Sequence, residues 1–254
     1  MIDPLADSPA ARGRATQLPL VCPQCRRADD GGLHVWTLED AAGGLQCRGC
    51  QARYPIVDGI PVIARDLAPL LAEDPAKGDA IASIYARSWD GPLQDWLRRV
   101  VPAGALELAG GVGIHPTSTV LDRSLAMLRR GTSADRVCGD LLDPPFLPAS
   151  CACVVLANVL DILHEPVLAF QQAVALTAPG GIIVVTCPYS FTHASPDCHV
   201  EWFSEAQLHG GLGAIEAGLL ELETLVELDW PLRTTDRLTQ VHRTDAMVFR
   251  RLGG

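Results

Sequence analysis

The sequence predicts an α/β fold with a mostly parallel sheet, preceded by a small module in which four cysteines bind a metal ion. Three observations support this: two Cys-x-x-Cys pairs near the N-terminus, apolar strands alternating with helical segments from residue 103 onward, and two long alternating segments near the C-terminus. Parallel strands need crossover connections, which the intervening helical segments supply. The alternating segments at 219–228 and 241–251 suit an antiparallel pair closing one edge of the sheet.

The composition of the 254 residues bounds the class of the protein. Hydrophobic residues make up 48% and charged residues 20%, which is ample for a buried core. No cationic N-terminal region precedes an apolar run, and no apolar stretch approaches the ~20 residues that span a bilayer. We therefore expect a cytoplasmic protein with no membrane association. Its five cysteines outside the two pairs are expected to be reduced thiols: Cys138, Cys151, Cys153, Cys187 and Cys198.

The net charge of −10 is unevenly distributed along the chain. Residues 18–65 carry five Arg and five Asp or Glu, whereas residues 103–254 carry nine Arg against 17 Asp or Glu, a charge of −8. Proteins that bind nucleic acid unaided present a basic surface. The charge distribution therefore argues against a nucleic-acid partner.

The two cysteine pairs predict a structural zinc site with the ligands Cys22, Cys25, Cys47 and Cys50. Each two-residue spacer lets the chain curl until both sulfurs lie about 2.3 Å from one metal ion. The 21 residues between the pairs lie at the long edge of the usual range. A redox pair is the alternative interpretation of such thiols.

A β-hairpin is predicted at the end of this module, where two apolar runs flank Asp58-Gly59. Glycine tolerates the positive φ that a two-residue turn requires. Pro55 and Pro61 lack an amide proton, and we therefore expect these strands at sheet edges.

The pattern divides the chain into four regions: a disordered tail at 1–17, the cysteine module at 18–65, a helical connector or lid at 66–102, and the α/β domain at 103–254. Helical segments are predicted at 80–87 and 93–101, broken by Pro75 and by Gly91-Pro92. In the α/β domain, the strand candidates are 105–108, 119–121, 137–138, 153–157 and 181–186, with a helix at 167–178.

A glycine-rich segment, 106–113, follows the first strand of this domain. Glycines there let the backbone approach a ligand closely, and an acidic residue after the next strand, Asp122, can accept both hydroxyls of a ribose. Further stretches follow in order: 120–128, 138–141, 145–150, 157–160 and 178–185. With these motifs, residues 103–190 resemble a class I S-adenosylmethionine-dependent methyltransferase, which implies a Rossmann-like sheet.

The cysteine pairs and the segment Tyr-Pro-Ile-Val-Asp-Gly-Ile-Pro-Val at 54–62 support a second resemblance. Residues 22–62 resemble the zinc-ribbon family of small activator subunits that partner RNA and protein methyltransferases. The methyltransferase resemblance implies a site for S-adenosylmethionine, built from Glu107, Gly111 and Gly113 at the methionine end, Asp122 at the ribose, Asp140 at the adenine amino group and Asn158 beside the sulfonium. Acceptor-recognising groups in this fold often stand where this chain has His164, Tyr189, His193 and Glu201.

The sequence departs from the family pattern in three places. Ala109 replaces the first glycine, Ala152 replaces an acidic residue of the fourth strand, and only eight residues separate Gly113 from Asp122. A parallel crossover normally takes a dozen or more residues and contains a helix. Because this segment is short and contains Pro116, we predict that the first crossover helix is shortened or absent.

The resemblances imply methyl transfer to a small-molecule or peptide acceptor, with the ribbon stabilising the domain and shaping the acceptor entrance. A protein partner is compatible with the ribbon. The short crossover motivates an alternative: a catalytically inactive methyltransferase fold that serves as a scaffold, with the ribbon as its docking surface. The acidic charge disfavours a third alternative, a zinc-dependent modifier of nucleic acid.

Overall fold

The structure, a computed structural model, describes residues 18–29, 32–88, 90–191 and 203–253, so the predicted tail at 1–17 lies outside it. The strands are β1 (Arg27–Asp29), β2 (Gly32–His34), β3 (Leu38–Ala41), β4 (Gly44–Cys47), β5 (Arg53–Val57), β6 (Ile60–Ile63), β7 (Leu106–Leu108), β8 (Thr119–Asp122), β9 (Asp135–Gly139), β10 (Cys151–Ala157), β11 (Thr177–Cys187), β12 (Leu220–Thr235) and β13 (Leu238–Arg251). The α-helices are α1 (Ala68–Leu71), α2 (Pro75–Arg87), α3 (Pro92–Val100), α4 (Leu125–Arg130), α5 (Pro166–Leu176) and α6 (Glu205–His209).

Eleven strands form one mixed sheet in the order β12-β13-β11-β10-β7-β8-β9-β6-β5-β4-β3. Strands β7 to β11 run parallel, and β12 and β13 form the antiparallel pair at one edge, as predicted. This terminal pair is longer than predicted: its strands continue to a turn at Asp236 and Arg237. The cysteine module and the α/β domain therefore share one sheet.

The junction between the two regions is the parallel pair of β6 and β9, in which Val62 faces Cys138 and Ile63 faces Gly139. The prediction that the proline-containing strands lie at sheet edges is wrong, because β5 and β6 each have a neighbour on both sides. Each strand pairs over only two or three residues on a given side. Such short ladders tolerate prolines, since each proline removes a single donor.

The predicted hairpin between β5 and β6 is confirmed. Asp58 has a φ of 51° and Gly59 a φ of 77°. Two successive positive φ values match a type I′ turn, whose twist suits the flanking strands. This turn directs β6 back toward the main sheet.

No helix lies between β7 and β8, all of which the structure describes, and the prediction of an absent first crossover helix is confirmed. The sheet face near this connection is covered instead by α3 from the connector. Leu93 and Leu97 of α3 pack in one buried cluster with Cys153, Val155 and Val184 of the sheet. The connector thus supplies apolar cover that the short crossover does not.

Pro75 begins a helix rather than breaking one. It occupies the first position of α2, where no amide proton is needed, and the Asp74 side chain accepts a hydrogen bond from Ala76 N. Tyr85 of α2 stacks on Trp230, with 6.4 Å between ring centroids, so it packs in the core. The lid prediction also involves Trp89, which lies outside the described residues. Within the described part of the chain, no helix is long and apolar enough to cross a membrane.

Candidate functional site

The four predicted metal ligands surround one point in the N-terminal module. The Sγ atoms of Cys22, Cys25, Cys47 and Cys50 all lie within 4.8 Å of one another. The Cys22–Cys50 distance is 3.7 Å and the Cys25–Cys47 distance is 3.6 Å. Sulfurs bound tetrahedrally to zinc at about 2.3 Å would be about 3.8 Å apart. The donor set therefore fits a metal ion of this size.

The two Cys-x-x-Cys turns have the same backbone pattern. The amide of Arg26 donates to the carbonyl of Cys22 over 3.2 Å, and the amide of Gln51 donates to the carbonyl of Cys47 over 3.0 Å. The hydroxyl of the buried Tyr54 lies 3.1 Å from Cys22 Sγ. A hydroxyl in this position can donate to a metal-bound thiolate and fix its orientation.

Glu107 is hydrogen-bonded to the residues that directly follow the glycine-rich segment. Its side chain is buried in β7, and it accepts hydrogen bonds from the amides of Ile114 at 2.7 Å and His115 at 3.2 Å. Burial raises the pKa of the Glu107 carboxyl to about 7, and the nearby Ser118 hydroxyl and the two amides only partly oppose that rise. The Glu107 carboxyl group thus fixes the conformation of this loop, which contains no helix.

Asp122 contacts the same loop from the end of β8. Its carboxylate accepts hydrogen bonds from the amides of Gly111 at 2.9 Å and Ser124 at 2.8 Å. Burial raises the pKa of Asp122, and the hydrogen bonds from these two amides oppose the rise. A carboxylate has about four lone-pair sites, so the remaining ones can accept ribose hydroxyls. The φ values of Gly111 and Gly113 are 58° and 84°, which glycine adopts without strain.

Asp140 follows β9 directly and its side chain is exposed. Its Oδ1 accepts a hydrogen bond from the amide of Leu142 at 2.9 Å. A cavity of about 240 Å³ opens beside it. The module, the connector and the α/β domain all line this cavity, with Ala64, Arg65, Asp66, Pro69, Leu70, Arg123, Asp140 and Asp143.

The cysteine module holds the loop that follows β9. Arg26, one residue after Cys25, forms an ion pair with Asp143, and Arg65 donates to the same carboxylate from Nε over 2.8 Å. The amide of Val21 donates to the carbonyl of Pro145 over 2.9 Å. These contacts connect the cysteine cluster to the loop that carries Asp140.

Asn158 follows β10 and is bound to the neighbouring strand β11. Its amide donates to the carbonyl of Thr186 over 2.9 Å, and its Oδ1 accepts from Thr186 Oγ1 over 2.7 Å. The predicted cofactor residues thus lie at the carboxyl ends of four adjacent strands. Gly111 and Asp122 are in direct contact, whereas the hydrogen bonds of Asp140 and Asn158 go to other residues.

A second cavity, here called the aromatic cavity, lies beyond the end of β11. Its volume is about 370 Å³ and it is lined by Tyr189, Phe191, Phe203, Ser204, Glu205 and Ala206. The three rings contact one another at centroid distances of 6.5 Å (Tyr189–Phe191), 6.1 Å (Tyr189–Phe203) and 5.2 Å (Phe191–Phe203). The cavity follows the end of β11, the strand whose Thr186 is hydrogen-bonded to Asn158.

The sequence predictions did not include Asp245, which contacts Tyr189, or His209, which contacts Asp245. The Tyr189 hydroxyl donates to Asp245 Oδ2 over 2.9 Å, and His209 Nε2 lies 2.7 Å from the same oxygen. Burial and the neighbouring carboxylate of Asp245 raise the pKa of Tyr189, so the hydroxyl stays protonated. A signal existed: Asp245 lies on the same face of β13 as the buried Met247 and Phe249.

Glu73 of the connector is also absent from the sequence predictions. Its carboxylate accepts from the hydroxyl of Ser124 and from the amide of Ala126 at 3.1 Å, at the start of α4. No sequence motif marks this contact, since the two partners are about 50 residues apart. Of the predicted acceptor groups, His164 is exposed, while His193 and Glu201 lie outside the described residues.

Ala109, which replaces a family glycine, has a φ of 52°. This left-handed conformation is strained for alanine, so we expect Ala109→Gly to raise the free energy of unfolding by roughly 0.5–1 kcal/mol. Urea unfolding measures the change. Gly104→Ala is the matched control: its φ is 78° with nothing within 4 Å of an added Cβ, and it should lower stability by about 1 kcal/mol. A loss of stability in Ala109→Gly would contradict the assignment of strain.

Comparison with known proteins identifies both regions. Residues 20–59 match the family described as Trm112p-like protein, and residues 103–185 match the family described as methyltransferase domain. No curated protein sequence matches the chain.

Solved structures share the fold at low sequence identity. A chain of the complex between the Haloferax volcanii Trm112 methyltransferase activator and a methyltransferase matches with 15% identity and a TM-score of 0.54, over 70% of this chain and 96% of that chain. A structure concerned with conversion of a disulfide bond into a thioacetal group during echinomycin biosynthesis matches with 14% identity and a TM-score of 0.51, over 70% and 93%. The chain thus combines a class I methyltransferase fold with an N-terminal Trm112p-like module.

Proposed function

We propose that this chain binds S-adenosylmethionine at the carboxyl ends of β7, β8, β9 and β10 and transfers its methyl group to a small-molecule or peptide acceptor. The observation that carries the proposal is the contact between Gly111 and Asp122, which places a glycine loop beside a carboxylate with free lone pairs. The match of residues 103–185 to a methyltransferase domain supports it. Open α/β sheets bind ligands outside the carboxyl ends of their strands.

Each residue of the site has a proposed contact. Gly111 and Gly113 let the backbone approach the methionine end, Asp122 accepts the ribose hydroxyls, and Asp140 faces the adenine amino group. Asn158, hydrogen-bonded to Thr186, would lie beside the sulfonium. The bound cofactor supplies an activated methyl sulfonium, and this chain therefore mainly holds the acceptor nitrogen, oxygen, sulfur or carbon in line with it.

The missing crossover helix weakens one expected contact. A helix start offers free amides and a dipole to a carboxylate. Here the amides of Ile114 and His115 already donate to Glu107. We therefore expect the methionine carboxylate to be bound less tightly than at a complete helix start. This observation favours the second candidate function, a scaffold that binds no cofactor.

We further propose that the four cysteines bind one zinc ion and that the Trm112p-like module stabilises the cofactor site. The sulfur geometry supports the metal, and the ion pairs of Arg26 and Arg65 with Asp143 support the second role. The module closes the edge of β9 through β6 and lines the cavity beside Asp140. A wall of the adenine pocket would thus come from outside the α/β domain.

Calorimetric titration with S-adenosylmethionine and S-adenosylhomocysteine tests the proposal on zinc-loaded protein. We expect micromolar binding that Asp122→Ala weakens by about 10-fold or more, because a hydrogen-bonded charge contributes about 1.5–3 kcal/mol. Asp236→Ala removes an exposed carboxylate in the β12–β13 turn and should leave binding unchanged. If folded protein shows no binding heat for either ligand, the scaffold function is favoured and methyl transfer is excluded.

A further inference from the structure

The described lining of the aromatic cavity contains none of the residues proposed to bind the cofactor. The cavity lies at the carboxyl end of β11, next in the sheet to the strand that ends at Asn158. Because β10 and β11 are parallel neighbours, their carboxyl ends lie side by side, and a molecule held there would lie on the same edge of the sheet as Asn158. We propose that the aromatic cavity binds an alkylammonium group of the methyl acceptor, an inference that rests on the proposed function and specifies its substrate class.

The rings make the cavity selective. Tyr189 and Phe191 are half-buried and present aromatic surface, whereas Phe203 is buried and packs edge-on against Phe191 with 67° between ring planes. Aromatic faces carry negative partial charge, and a cation within about 6 Å of a ring centroid is attracted to it. A purely apolar ligand gains area burial but not this electrostatic attraction.

Glu205 is the one charged side chain among the described residues that line the cavity. Glu205 lines it, is exposed at the start of α6, and has no ion-pair partner among the described residues. The Tyr189 hydroxyl faces the carboxylate of Asp245, which His209 also contacts, and both Asp245 and Glu205 raise the pKa of Tyr189. No Arg or Lys occurs among the described residues that line the cavity.

The net charge of the α/β domain also favours a cationic ligand. The α/β domain carries a charge of −8, which attracts cations and repels anionic acceptors. An acceptor with a phosphate or carboxylate at this position would meet Glu205 with no Arg or Lys beside it in the described lining. The combination of aromatic surface and unpaired carboxylate is the chemistry that recognises an ammonium group.

The test compares choline with its neutral isostere 3,3-dimethylbutan-1-ol by NMR titration of the zinc-loaded chain, with and without S-adenosylhomocysteine. The two probes have the same shape and differ in charge. We expect choline to bind at least about fivefold more tightly than the alcohol. Phe191→Leu should reduce choline affinity at least about threefold, whereas Phe191→Tyr, which keeps the ring, should retain it.

The carboxylate is tested separately. Glu205→Gln should weaken choline binding and leave the alcohol unaffected, and Glu221→Gln, which neutralises an exposed carboxylate of β12, should change neither. Equal affinity for the two probes, tighter binding of the alcohol, or no binding of either would overturn the inference. Because choline is also titrated without S-adenosylhomocysteine, failure of cofactor binding and failure of ammonium binding give different results.

Discussion

Cys50→Ser is expected to lower the free energy of unfolding of the chain by at least about 3 kcal/mol, since structural zinc contributes about 10–16 kcal/mol to folding of isolated zinc modules. The Cys50 side chain is exposed, so the substitution removes a ligand with little loss of packing. The effect should extend to the α/β domain. Val62 and Ile63 are fully buried, and they pair with β9.

Urea unfolding and the metal content of purified protein measure this effect. Wild-type protein should carry about one zinc per chain, and a chelator should bring its stability to the level of Cys50→Ser. Cys151→Ser, at a buried thiol outside the cluster, is the control for metal content and should leave it unchanged. Zinc content and stability that are unchanged in Cys50→Ser would show that the four cysteines do not form a metal site.

Glu107→Gln is expected to make the chain less sensitive to rising pH. Burial raises the pKa of Glu107 from 4.5 to about 7, and the folded protein therefore retains a proton that the unfolded chain releases. The stabilisation is complete below about pH 4.5 and is lost as pH rises through about 7. The full difference is about 3 kcal/mol at 1.36 kcal/mol per pKa unit.

The measurement is urea unfolding of wild type and Glu107→Gln at a series of pH values between 5 and 8, both zinc-loaded. The difference in unfolding free energy should shift by up to about 3 kcal/mol in favour of the glutamine variant as pH rises. Glu216→Gln, at an exposed position, corrects for general effects of charge removal. Parallel pH profiles for wild type and Glu107→Gln would show that Glu107 does not titrate in this range.

Local patterns predicted much of the fold because the interactions involved are local. Asp58-Gly59 specifies its turn through two positive φ values, and the eight residues before Asp122 are too few for a crossover helix. The cysteine spacing likewise brings four sulfurs together. The cofactor residues were predicted through a resemblance, and their roles stay predictions.

Long-range contacts were not predictable from the sequence. The pairing of Val62 with Cys138 joins two short apolar strands, and many such strands in this chain are equally suitable. The contacts of Glu73 with the start of α4 and of Asp245 with Tyr189 could not be predicted from the sequence either. In each case the partners are separated by tens of residues, and only the folded backbone selects the pair.

The pairing of β6 with β9 in one chain determines how the cysteine module can separate from the α/β domain. Where two chains form such an assembly, dilution below the dissociation constant separates them. Here the connector tethers the module, so its effective concentration at β9 is fixed by geometry and independent of protein concentration. Any stabilisation of the site by the module should therefore persist at the lowest protein concentration, and we expect only unfolding or loss of the proposed zinc ion to remove it.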